Sequence, residues 1–416
     1  MTKRLSSTAL TALLLIPLAS CGGSGGTVAS GCGSGGDIVV GVIAPETGAA
    51  HAIVGSFEAG AEQARDDINA KGGVCGGRHI SVVEKDNESD FSKDAGLAKE
   101  LVEQDHAVGV VLISDQDQQA AGQYLQQKGV LTVCACISDA LDTAPDTFSV
   151  AIPNKLEAPL WKQYLLVTKH VKRPAVLYET TSSFGLDQTN AFCNDAQSNG
   201  TPCVAREQTT IATTSVAQQV GDMVSHNADA VLLEGFGLPV VATISSAKAA
   251  GLTGPILGTG TVATSTNLIN GFVPASSRAG FVYVDYRTAT HGDTNAATAF
   301  AQELIASNRI GSPVGPLFVP MFAHDAVELM ATGWNKANSL NAGDASKAIE
   351  QLNVKVGDGT FTLHDAVYSP QHHEPQVAGW LTLATADPLD NDGLATVSSD
   401  AAGLLSSLGS AAPPSP

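Results

Sequence analysis

Positive charge is scarce in this chain. Lysine and arginine number 22 against 41 aspartates and glutamates, a formal net charge of −19 at pH 7. Binding to nucleic acid needs cations that neutralise phosphates, and adhesion to anionic lipid needs a basic patch, so this balance excludes both classes. Aromatics are few, at 5%, which argues against an aromatic-lined all-β scaffold. Charged residues make up only 15% while apolar ones reach 44%, too much core material for a disordered chain. No run is long and apolar enough for the roughly 20 residues of a membrane-spanning helix. Catalytic signatures are missing too: there is no Gly-x-Ser-x-Gly elbow between a strand and a helix, no His-Glu-x-x-His, and no phosphate loop ending in Gly-Lys-Ser/Thr. Gly258-Thr259-Gly260-Thr261-Val262-Ala263 lacks the third glycine of a dinucleotide fingerprint and the acidic residue that should follow it. His372-His373-Glu374 reads as a polar turn rather than a metal cluster. No enzyme activity, cofactor or metal is expected.

What is present begins with an export signal. Lys3 and Arg4 precede a short apolar stretch, Ala9 to Leu18, and Leu18-Ala19-Ser20-Cys21 places small residues before a cysteine. That tetrapeptide resembles the bacterial lipobox, in which the cysteine is acylated and becomes the new N-terminus. Residues 1–20 are therefore expected to be a signal peptide, Cys21 a membrane anchor on the outer face of the cytoplasmic membrane or in the periplasm, and 21–36 a Gly/Ser-rich tether. Export gives the other six cysteines an oxidising compartment. Cys193 and Cys203 lie ten residues apart between a helix-like and a strand-like segment, a natural local bridge. Cys32 and Cys75 each precede one of the first two strands and meet if those strands are parallel neighbours. Cys134 and Cys136 read first as two small buried residues at a strand end, with a strained bridge the lesser alternative.

From residue 37 the chain alternates between two periods. Continuous apolar runs such as Asp37–Ala44 (DIVVGVIA), Ala107–Ile113 (AVGVVLI) and Ala230–Leu233 (AVLL) mark strands buried on both faces. Between them, segments such as Ser56–Ala70 carry Phe57, Gly60, Ala61, Ala64 and Ile68 at helical spacing. The rhythm runs to Cys134, breaks, and restarts at Ala175, which predicts two α/β lobes with doubly wound parallel sheets. Residues 387–416, rich in Ser, Ala, Asp and Pro, are expected to be a flexible tail.

Val42-Ile43-Ala44-Pro45-Glu46-Thr47-Gly48, Gly60-Ala61-Glu62 and Asp67-Ile68-Asn69-Ala70-Lys71-Gly72-Gly73-Val74 resemble the opening of the leucine/isoleucine/valine-binding proteins of ABC importers. Gly129-Val130-Leu131, Phe184-Gly185, Asp229-Ala230-Val231 and Ala249-Ala250-Gly251-Leu252 continue the resemblance in order, over about residues 37 to 385. It implies a type I periplasmic-binding-protein fold with three crossovers: 37–151 and 286–369 in one lobe, 152–285 and 370–386 in the other. It also implies a small solute held in the cleft by hinge closure, delivery to ABC permease subunits, and a monomer. A sensory or partner-presenting receptor of the same fold is the alternative.

The resemblance assigns site residues position by position. Ser114 and Asp115 follow the third strand, where the family holds a ligand carboxylate, and an aspartate there repels another anion. Cys136, Ile137 and Ser138 match a small-small-Thr segment after the fourth strand. Phe184 and Phe236 replace tyrosines of the pocket wall, and Gly260 stands where amino-acid binders place a glutamate against the ligand ammonium. These departures argue against an ordinary α-amino acid and point to a small polar solute that is amino-acid-like, an amide, or a cationic or hydroxylated molecule. Ser114, Asp115 and Ser138 also have a plain helix-capping reading. Glu46, His51, Trp161, Glu234, Asp285 and Phe318 are the further pocket candidates.

Overall fold

The computed structural model describes residues 31–32, 35–138, 141, 144–180, 183–291, 295–311, 315–356, 361–385, 393–401 and 404. The expected signal peptide, Cys21 and the side chain of Phe184 lie outside the described residues.

Strands form where the sequence runs continuously apolar. β1 (Ile38–Ala44), β2 (Ile80–Asp86), β3 (Gly109–Leu112), β4 (Leu131–Cys134) and β5 (Thr147–Ser149) build a five-stranded sheet in the order β2-β1-β3-β4-β5. Every pairing in it is parallel. β3 and β4 are buried throughout because helices cover both faces of the sheet. A second sheet holds β6 (Pro174–Glu179), β7 (Ala205–Thr209), β8 (Ala230–Glu234), β9 (Ile256–Gly258) and β10 (Phe281–Tyr286). A two-residue pair, β11 (Asn353–Val354) and β12 (Ala366–Val367), stands apart, and β13 (Leu381–Thr385) completes the second sheet in the order β13-β10-β9-β8-β6-β7. β13 runs antiparallel to β10, since the chain reaches that edge directly from the other lobe without a helical crossover of its own. The chain is thus α/β with two doubly wound sheets.

Phe57, Gly60, Ala61, Ala64 and Ile68 form the buried stripe of the helix Phe57–Ala70, as their spacing predicts. It lies against the long helix Phe318–Ala337, and a Cβ on Gly60 would stand 1.8 Å from the Pro320 carbonyl oxygen. Only glycine permits that approach. The long helix begins at Phe318, which puts Phe318 and Phe322 on its first turns.

The crossings between lobes are tied together. The Ile152 N–H donates to the Tyr286 hydroxyl at 3.1 Å. The His364 ring stacks on Tyr286 at 5.7 Å, with its Nε2 2.8 Å from the Val150 carbonyl oxygen. Two expected boundaries move. The first lobe extends past residue 369, because His373 stacks on Phe148 at 4.2 Å and its carbonyl accepts the Ser149 N–H. The tail does not fray throughout: Leu394, Ala395, Ala401 and Leu404 are buried, Ser398 donates its N–H to Leu383, and Asp400 pairs with Lys169.

Cys32 bonds to Cys75 and Cys193 to Cys203, the pairings expected from sequence. Cys134 and Cys136 are bridged as well, which corrects their reading as two separate buried thiols. β4 ends at Cys134 and the chain bends, bringing the two Cα atoms to 5.2 Å, within bridging range.

Candidate functional site

The carboxyl ends of the two sheets face each other across a cavity of about 150 Å³. Its walls are the segments that follow strands: Pro45 after β1, Ile113 to Gln116 after β3, Ala135 and Ile137 after β4, Phe236 after β8, Gly260 and Thr261 after β9, and Val284 to Tyr286 at the end of β10. Open α/β sheets bind ligands at these ends, and here two such sheets contribute. Helix residues Ile53 and Phe318 close the first-lobe side.

Of the residues singled out in the sequence, Ser114, Asp115, Ile137, Phe236, Gly260, Asp285 and Phe318 line the cavity. Ser138 sits one residue beyond the wall. Cys136 is fully buried in its disulfide and presents no thiol. Glu46 and His51 lie outside the lining, and Trp161 and Glu234 lie behind it.

Two polar groups of the first-lobe wall, those of Ser114 and Asp115, are turned into the protein. Ser114 caps the helix Asp115–Lys128: its Oγ accepts the Asp117 N–H at 3.3 Å, and its hydroxyl donates to the Asp117 carboxylate. Asp117 is buried with Asp94, and Asn87 donates to both carboxyls at 3.1 Å. Burial and the Asp94 charge push the Asp117 carboxyl well above its ordinary range. Asp115 is 5% exposed. Its Oδ2 accepts the Ile137 N–H at 3.0 Å, and its Oδ1 accepts the Ser138 N–H at 3.2 Å and the Ser138 hydroxyl at 2.5 Å. Burial raises its carboxyl, while those three donors favour the ionised form. Both the helix-capping reading of Ser114 and the cleft reading of Asp115 are thus present in one loop, but neither side chain projects an unused polar group.

On the second lobe, Phe236 is set by its neighbours. Gly235 (φ 137°) and Gly237 (φ 77°) adopt conformations that side-chain-bearing residues avoid, so the turn after β8 swings the phenyl ring to the cavity. The Gly237 N–H donates to Ser265 Oγ at 2.8 Å. Gly260 opens a short helix whose first N–H donates to Glu157 Oε1 at 2.9 Å. The same oxygen accepts the Trp161 indole N–H at 2.5 Å. Burial, then repulsion from Glu234, pushes Glu157 up to about 8. Burial alone takes Asp285 to about 8, although it accepts the Tyr286 N–H at 2.7 Å. Both are neutral acids at pH 7.

Sequence reasoning missed Glu157, Ile152, Tyr286 and Phe322. Glu157 lies in the helix Asn154–Lys162, absent from the sequence reading because Pro159 interrupts its pattern. Leu160, Trp161, Tyr164 and Leu165, all buried, carry the helical signal that marks it. Among the described residues no lining residue is Lys, Arg or His. Among the described residues no group of three or more His, Cys, Asp or Glu could hold a metal. His373 turns to the Ala144 and Thr147 carbonyls and to Glu350, and Glu374 pairs with Lys155.

Residues 37–386 match the family model described as periplasmic binding protein, and the chain belongs to that family. The fold is that of a type I periplasmic binding protein of the leucine/isoleucine/valine kind. A type 1 periplasmic binding protein from Bordetella pertussis Tohama I superposes with a TM-score of 0.74 at 18% identity, covering 84% of this chain and 96% of that one. The branched-chain amino acid transporter substrate-binding protein LivJ of Streptococcus pneumoniae, solved with isoleucine, superposes at 0.71 and 19% identity, covering 87% and 99%. A Pseudomonas aeruginosa protein named amino acid binding protein is 40% identical over 75 residues, 18% of this chain. That match spans about a fifth of the relative's own length.

Proposed function

We propose that this protein is an extracytoplasmic solute-binding lipoprotein. It captures a small molecule between its lobes by hinge closure and delivers it to the permease subunits of an ABC importer. The observation that carries this reading is the cavity itself: both sheets end on it, and the Ile152–Tyr286 contact ties two interlobe crossings at its edge. Such a cluster of crossings is a hinge, and closing it brings Phe236 of one lobe onto Ile53 and Phe318 of the other. Anchoring through Cys21 keeps the monomer near its permease without a spanning helix. The family and fold are those of solute-binding proteins, which supports binding over catalysis.

A thermal-shift screen over amino acids, amides, polyols, amines and small aromatic compounds tests solute capture, since a ligand that binds only the folded state raises the melting temperature. Small-angle scattering with the best hit tests closure. An unchanged radius of gyration at saturation would remove the hinge mechanism, and a screen without any hit would remove solute capture. A Cys21→Ala variant still acylated and sedimenting with membranes would remove the lipoprotein assignment.

A further inference from the structure

We propose that the cleft takes an uncharged, largely apolar molecule about the size of one six-membered ring, and that it rejects carboxylates because the protein's own acids already occupy the donors that would hold one. The inference rests on the solute-capture reading and narrows its substrate class, away from the polar solute that the sequence suggests.

Three acids line the cavity, and each accepts a backbone N–H at its wall. Asp115 takes those of Ile137 and Ser138, Glu157 that of Gly260, and Asp285 that of Tyr286. The Ser138 hydroxyl and the Trp161 indole N–H are likewise used, on Asp115 and Glu157. An incoming carboxylate would therefore lose its water, find these backbone donors engaged, and lie beside the Asp115 carboxylate, with no Lys, Arg or His in the lining among the described residues. Burying an unpaired charge is among the costliest events in a protein interior. Asp115 stands as an internal substitute for a ligand carboxylate, fixed by the fold.

Apart from Ser114, Gln116, Asn154, Thr261, Thr264 and the Tyr286 hydroxyl, the rest of the wall is hydrocarbon. Phe91, Phe236, Phe318 and Phe322 supply rings from both lobes, and Ile53 and Ile137 fill between them. A cavity of about 150 Å³ matches in volume an engineered apolar cavity, in another protein, that binds benzene. The Tyr286 hydroxyl accepts the Ile152 N–H and keeps its own proton for one acceptor on the ligand. The recognition chemistry is thus one apolar ring or branched chain carrying at most a hydroxyl or carbonyl oxygen.

Calorimetry on the intact mature protein at pH 6 decides the matter, with phenol and benzyl alcohol as uncharged probes, benzoate and leucine as carboxylates, and benzylamine as a cation. The expected result is binding of an uncharged probe at least a hundredfold tighter than either carboxylate. Asp115→Ala should then gain at least tenfold for benzoate, because the Ile137 and Ser138 N–H groups fall free, with a cooperative melting transition as the check on its fold. If Asp115→Ala does not fold, the parent panel decides alone. Benzoate or leucine binding the parent as tightly as benzyl alcohol overturns the inference and leaves solute capture standing. Benzylamine binding tightest overturns it in favour of acids acting as counter-ions. A folded Asp115→Ala without gain for benzoate overturns the role given to Asp115. If no probe binds, the inference fails, and solute capture is judged separately by the wider screen.

Discussion

Asp115 and Ser138 are joined twice: one carboxylate oxygen of Asp115 accepts both the backbone N–H and the hydroxyl of Ser138, at 3.2 and 2.5 Å. The contact links the start of the helix after β3 to the loop after β4, so one side chain sets the shape of the first-lobe wall. It also explains why an anion is tolerated 5% exposed: charge-assisted bonds and the helix N-terminus stabilise it.

Asp115→Asn should therefore destabilise the protein as well as alter binding. The amide keeps one acceptor oxygen but sets an NH₂ against donors. A loss of about 2 kcal/mol is expected, the scale of a hydrogen bond to a charged group. Chemical denaturation measures it, and an unchanged midpoint would show that the contact contributes nothing to folding.

Stability should fall as pH rises from about 5 to 8. Burial raises Glu58, Glu234 and Glu328 to about 7 and Glu157 and Asp285 to about 8. Burial alone would lower His324, but its bonds to Asp325 and Asp67 take it up to about 9. In every case the folded state holds its proton at a pH where the unfolded chain has released it. This contribution is present below the unfolded value and is lost as pH climbs through the folded one. Asp86, lowered overall against the rise from its burial by bonds from Thr47 and Glu88, acts oppositely and only at more acid pH. A melting temperature higher at pH 8 than at pH 5.5 would contradict this account.

The lobes were legible in the sequence because doubly buried strands leave apolar runs such as Ala107–Ile113 that no surface segment imitates. The strand ends were legible for the same reason, whereas Asp115, Phe236 and Gly260 were singled out by the resemblance to the leucine/isoleucine/valine-binding proteins. The direction in which a side chain turns was not. Nothing local tells that Asp115 reaches 22 and 23 residues along the chain to Ile137 and Ser138, or that Glu157 reaches Gly260. The Cys134–Cys136 bridge escaped because it depends on a bend at the end of β4 that composition does not encode.

The three disulfides should differ in value according to the loops they close, with sequence separations of 43, 10 and 2. Chain entropy gives about 4 kcal/mol for Cys32–Cys75, about 3 for Cys193–Cys203 and about 1.5 for Cys134–Cys136. Pairwise replacement by alanine, followed by denaturant titration, should reproduce that order. If removing Cys134–Cys136 proves the most damaging, its role is to hold the Ile137–Ser138 loop rather than to restrain the unfolded chain.

Gly260 and Glu157 should behave as a coupled pair. A Cβ at position 260 would lie 2.9 Å from Glu157 Oε2, and the Gly260 N–H is bonded to Oε1 of the same carboxyl. Gly260→Ala in the parent is expected to cost about 1–3 kcal/mol, the range for overpacking a filled site. Glu157→Ala is costly by itself, because it strands the Trp161 indole N–H and the Gly260 N–H. In the Glu157→Ala background, however, the added methyl meets open space, and alanine within a helical turn is about 1 kcal/mol better than glycine. The second substitution should then be neutral or favourable, and the double-mutant cycle should return an interaction of at least about 1 kcal/mol. Strict additivity would mean that Glu157 does not reach Gly260 in solution, and that the N–H at this wall is open to a ligand after all.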